Sequence, residues 1–129
     1  MKRRGSNVER ELQRKLWDKG IVCLRIAGSG SSSYPALDLL ALYKGKVFGF
    51  EVKSTRLDTI YLKDIQIEEL EMIRDIGKIK IYIAVKFIGR KWYFFDLEKV
   101  KDNKKIDLER AEKEGKTFIE IVDEIKYKN

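Results

Sequence analysis

Residues 37–53 read LDLLALYKGKVFGFEVK, two short apolar runs parted by Lys44-Gly45, and the pairing of these runs decides the fold. Segments this rich in Leu, Phe and Val are strand-like, and the Lys-Gly pair between them reads as a two-residue hairpin turn. With Lys44 and Gly45 as the turn, paired positions sum to 89, which sets Asp38 directly across from Glu51. Strand alternation puts Glu51 and Lys53 on one face and Phe48, Phe50 and Val52 on the other. Side chains so opposed have Cβ atoms about 4.5–5.5 Å apart, where like charges destabilise. A divalent cation bridging the two acids removes that penalty. A three-residue loop would shift the pairing and weaken the expectation.

Working outward, Ser6-Asn7-Val8-Glu9 matches a capping box with Ser6 at the N-cap, and Val8, Leu12 and Leu16 continue a helix that Gly20 stops. Residues 21–26, IVCLRI, form a buried-strand candidate, followed by the loop GSGSSSYPA at 28–36. Downstream, residues 63–76 make a second helix closed by Gly77. IKIYIAVKF (79–87) and KWYFFDL (91–97) are further strands around an Ile88-Gly89-Arg90 turn. DNKKIDLERAEKEG reads as polar and peripheral, and Thr117 to Glu120 as a capping box opening a last helix. The expected order α-β-β-β-α-β-β-α gives an α/β fold, a mixed central sheet flanked by helices. In WYFFD both faces are apolar: one meets the core, and the other is either a dimer interface or a second buried face. Gln66 either supports the acids or is surface.

At 129 residues with 43% hydrophobic content the chain is expected to be one globular domain. No run reaches the roughly 18 apolar residues of a membrane span, and no signal peptide is legible, so a cytoplasmic location is expected. There is no histidine, and the single cysteine, Cys23, is a small buried hydrophobe rather than half of a disulfide. Zinc sites and His-based triads are thereby excluded. Any metal must be hard and held by carboxylates, as Mg²⁺ or Mn²⁺ is. The net charge of +7 suits a nucleic-acid partner, and a Lys- and Glu-rich composition is common in hyperthermophiles.

Asp38, Glu51 and Lys53, with Glu9 as a third carboxylate, are a set suited to phosphodiester hydrolysis. For Glu9 the helix-capping role is a sufficient alternative. Lys53 is placed to orient water or to neutralise charge in the transition state. Arg3, Arg4, Arg10, Arg14, Arg25, Lys53 and Arg56 are candidate phosphate contacts, whereas Lys86, Arg90 and Lys91 read as a solvated edge.

Asp38 followed by Glu51-x-Lys53 resembles the PD-(D/E)xK nucleases. GSNVERELQRKLWDKG, LRIAGSGSSS, LDLLALYKGKVFGFEVKST and AVKF together resemble the archaeal Holliday junction resolvases, from about Gly5 to Phe95. The resemblance implies a restriction-endonuclease-like sheet and a homodimeric, Mg²⁺-dependent enzyme of DNA recombination and repair. Such an enzyme binds four-way junction DNA by shape and nicks two opposing strands symmetrically. It assigns Glu9, Asp38 and Glu51 to the acidic positions and Lys53 to the catalytic lysine. Arg10 and Arg25 become flanking basic positions, and Ser29, Ser31 and Ser32 part of a loop that approaches DNA. Leu37, not proline, precedes Asp38, and Pro35 lies upstream. Two readings stand beside this one: another nuclease of the superfamily acting on duplex DNA, and a non-catalytic junction-binding protein.

Overall fold

Lys44 and Gly45 both take positive φ, 48° and 84°, as a two-residue hairpin turn of the I′ kind requires. They join β2 (Leu39–Tyr43) to β3 (Lys46–Thr55), and the pairs run from Tyr43 opposite Lys46 to Leu39 opposite Phe50. This is the expected register. The ladder stops one pair short of Asp38, whose N–H turns to Phe50 O at 3.2 Å. Gly49 gives Leu37 its place, since a Cβ at 49 would stand 2.5 Å from Leu37 Cδ1.

The structure is a computed structural model that describes residues 2–28, 31 and 33–128, with side chains from Asn7 onward. Around the hairpin run α1 (Lys2–Asp18), β1 (Val22–Arg25), β4 (Thr59–Tyr61), α2 (Asp64–Gly77), β5 (Lys80–Phe87) and β6 (Trp92–Asp96). The chain ends with α3 (Leu97–Val100), β7 (Lys105–Asp107), α4 (Leu108–Glu114) and α5 (Phe118–Tyr127). Five strands form a mixed sheet in the order β1-β2-β3-β5-β6, with only β3 and β5 parallel; β4 and β7 pair apart from it.

Each face of the sheet buries a core. On one, Leu12 and Leu16 of α1 and Ile121 and Ile125 of α5 join Phe50, Tyr82 and Phe94. On the other, α2, α3, β7 and α4 bring Ile67, Leu70, Val100, Ile106 and Ala111 onto Ile81, Ile83, Val85 and Phe95. Apolar rows at strand spacing are covered by helices whose apolar residues recur every three or four positions.

Three expectations are corrected. The first helix begins at Lys2, so Ser6 lies inside it and Glu9 is a mid-helix residue rather than part of a cap. Helix propensity across Lys2–Arg4 carries the helix past the Ser6 pattern. The stretch from Asp102 to Gly115 is not peripheral, because Ile106 and Ala111 are fully buried under the sheet. Consequently both faces of WYFFD are covered within the chain: Trp92 and Phe94 by the α1–α5 side, Tyr93 and Phe95 by the α3–α4 side. The dimer-interface reading of that strand falls. Thr117 does open α5 with a complete capping box, as its spacing predicts.

Candidate active site

Glu51 sits in the middle of β3, 8% exposed, on the face that α2 covers. Its Oε2 accepts from Gln66 Nε2 at 3.1 Å and lies 3.8 Å from Lys53 Nζ. Its Oε1 is buried and has no hydrogen-bond partner. Such an atom is costly: a buried polar group without a partner forfeits about 1–3 kcal/mol, more if charged. Gln66, left open between support and surface by the sequence, is thus a support. It stands in the first turn of α2, where no periodicity would single it out.

Asp38, 8% exposed, enters at the end of the hairpin ladder. Its Oδ2 accepts the Val52 N–H at 2.8 Å, which pins the carboxylate against β3 next to Glu51. The charge of Asp38 raises the cost of ionising Glu51. Burial, then the charge of Asp38, lifts the Glu51 carboxyl to about 8; Lys53 opposes the lift, while Glu9 adds to it.

Glu9 reaches this group from α1. It is no cap. Its Oε1 accepts from Arg25 Nε at 2.9 Å, joining α1 to the end of β1. Burial and then Asp38 raise its carboxyl, with Arg25 opposing. Among the described residues, no three acidic, His or Cys side chains converge closely enough to cage an ion. Asp38 and Glu51 form the close pair, and Glu9, held by Arg25, is within electrostatic reach of both. These are the residues that could hold a cation.

The remaining expected positions divide. Lys53 and Arg25 are at the acids; Arg10, Arg14 and Arg56 are exposed. Ser31 bonds to its own loop, its hydroxyl donating to Gly28 O at 3.1 Å. Ser29 and Ser32, and the side chains of Arg3 and Arg4, lie outside the described residues. Lys86 is no solvated edge: its ammonium is 3.4 Å from Glu11 and lies over the Trp92 ring. Cys23 is buried, its thiol pushed up to about 12 by that burial. No helix among the described residues is long and apolar enough to cross a membrane.

Comparison with known proteins shows the family. The chain is 35% identical over 130 residues to the crossover junction endodeoxyribonuclease Hjc of Archaeoglobus fulgidus, covering 93% of this chain and 96% of that one. It is 34% identical to the protein of the same name from Sulfurisphaera tokodaii over 98% of its own length and 88% of the other. The solved structure of Archaeoglobus fulgidus Hjc, a Holliday junction resolvase from an archaeal hyperthermophile, superimposes with a TM-score of 0.80 at 29% identity. That likeness covers 92% of this chain and 98% of the other. The family model described as archaeal Holliday junction resolvase (Hjc) matches residues 1–129, and the chain belongs to that family.

Proposed function

We propose that this chain is a crossover junction endodeoxyribonuclease that binds four-way DNA junctions as a homodimer. It cuts two opposing strands symmetrically by phosphodiester hydrolysis, with Mg²⁺, or Mn²⁺ in its place. The observation that carries the reading is the donor-starved Oε1 of Glu51 beside Asp38. Two carboxylates crowded in a half-dry site, one oxygen unclaimed, fit a hard divalent cation bound through oxygen. Asp38 and Glu51 would hold the ion, with Glu9 as a further acid from α1. When bound, such an ion polarises a phosphoryl oxygen and lowers the pKa of a coordinated water.

The chain's own groups supply the rest. Gln66 fixes the Glu51 rotamer through Oε2 and leaves Oε1 turned free. The Val52 amide, a donor already fixed by the ladder, holds Asp38 in place. Lys53, 3.8 Å from Glu51, puts a fixed positive charge where the phosphorane develops negative charge. Arg10 on the exposed side of α1 and Arg25 beside Glu9 are placed to meet backbone phosphates. Two copies related by a two-fold axis carry two such sites, which matches the symmetry of a junction.

The test is nicking of a fixed four-way junction, each strand end-labelled in turn, with equimolar linear duplex as competitor. Paired cuts in opposing strands that require Mg²⁺ or Mn²⁺ are expected. Preferential cleavage of the duplex, or junction binding without nicking, would overturn the proposal.

A further inference from the structure

Where β3 and β5 end side by side, a cavity of about 330 Å³ opens between the segments that follow them. Arg56 stands on the β3 side and Arg90 on the β5 side; Leu57, Ile88 and Leu108 contribute apolar wall between them. The cavity continues the row that carries the acids. Glu51, Lys53 and Thr55 pair in register with Ile83, Val85 and Phe87, and Phe87 is itself part of the cavity wall. At about 3.3 Å per residue Thr55 stands roughly 13 Å beyond Glu51.

Arg90 is held out on a fastened turn. Ile88 N–H donates to Thr55 O at 2.9 Å, Arg90 N–H to Phe87 O at 2.8 Å, and Lys86 Nζ to Arg90 O. Both arginines are exposed, and among the described residues neither guanidinium has a carboxylate partner. Arg25, Arg74 and Arg110 each lie against one. Asp58 also lines the cavity, its Oδ1 accepting from the Thr59 hydroxyl. Two unclaimed planar forks facing a shared space suit phosphate oxygens, which arginine binds in pairs.

We propose that Arg56 and Arg90 form a second DNA-backbone site, holding a phosphodiester separate from the one placed at Glu51. The sugar or base then lies on the apolar wall of Leu57, Ile88 and Leu108. This rests on the nuclease reading above and adds Arg90 and the cavity to it.

The experiment is fluorescence anisotropy of labelled junction and linear duplex with the full chain in EDTA, across a salt series, for the parent and Arg56→Ala/Arg90→Ala. Each phosphate that goes unneutralised takes about 0.9 off the salt slope. With one such phosphate at each copy of the dimer, the double variant is therefore expected to lose about 2 from the slope and on the order of 10-fold or more in affinity at 0.1 M salt. Arg56→Lys/Arg90→Lys should recover the slope, and Asp58→Asn should tighten binding. Unchanged slope and affinity in the alanine pair overturn the site, as does an altered sedimentation coefficient with unchanged slope, which assigns the cavity to protein contact. A parent that fails to nick junctions while the slope loss persists overturns the nuclease reading and keeps the site. Nicking with an unchanged slope does the reverse.

Discussion

Glu51 and Glu124 face the same sheet from opposite sides and live under opposite rules. Glu124, on α5, accepts from the Tyr82 hydroxyl and from Lys116, and Lys116 also lies 3.4 Å from Asp96. Burial pushes Glu124 up, yet those hydrogen bonds and the Lys116 charge outweigh it and hold the carboxyl below its usual range. Glu51 is more deeply buried, receives one amide donor, and has Asp38 for a neighbour. Glu124 is supplied with donors and fastens a helix. Glu51 has Gln66 alone as donor, and its Oε1 has none. A carboxylate's role in this molecule is therefore read from what surrounds it, not from burial alone.

The most severe way to break the contrast is to neutralise each acid in turn. Glu51→Gln and Asp38→Asn should each lower junction nicking by about 10²–10³ or more. Junction binding should be kept or tightened, since each change removes negative charge near phosphate. Retained nicking in both would leave the pair without a catalytic role. Glu124→Gln should leave nicking close to the parent's.

Stability against pH sharpens the difference, because the two acids carry opposite signs. Glu51 is raised on folding, so its contribution is whole below about 4.5 and is lost as pH rises through about 8. In EDTA the melting free energy should fall across that window by up to ~1.4 kcal/mol per pH unit. Glu51→Gln should flatten the fall, and Mg²⁺ should reduce it. Glu124 is lowered, so its contribution is whole above about 4.5 and is lost as pH falls through its folded value. Denaturant titrations from acid to mild alkali check both arms.

A smaller effect belongs to the supplied side. Lys116→Met removes the main donor to Glu124, and a loss of about 1–2 kcal/mol in stability with nicking retained is expected. Smallest of all should be the stability change in Glu9→Gln. As a mid-helix residue rather than a cap, Glu9 should move the unfolding free energy by less than about 0.5 kcal/mol, where losing a cap costs about 1.

The hairpin was legible because its information is local. A Lys-Gly turn admits one register, and that register carries Asp38 to the side of Glu51. The ends of the ladder were not legible: Asp38 leaves the last pair by one residue because Val52 N–H claims its carboxylate. Pairings between distant segments also escaped. Arg25 with Glu9, and Tyr82 with Glu124, join residues that no spacing rule connects. The β7–α4 stretch misled because its two fully buried anchors, Ile106 and Ala111, are outnumbered by lysines and acids that face water. Its burial of Tyr93 and Phe95 is what removed WYFFD as a meeting place for two copies.

The borders of the sheet have a consequence of their own. On β1, the Cys23 carbonyl is taken by Gln13 Nε2 at 3.0 Å and Trp17 Nε1 at 2.9 Å. On β6, Phe94 trades both backbone hydrogen bonds with Lys116. Each margin is interrupted by the chain itself near its midpoint, which breaks the run of open backbone groups that a stray strand would pair with. A sheet bordered in this way is guarded against edge-to-edge pairing between copies.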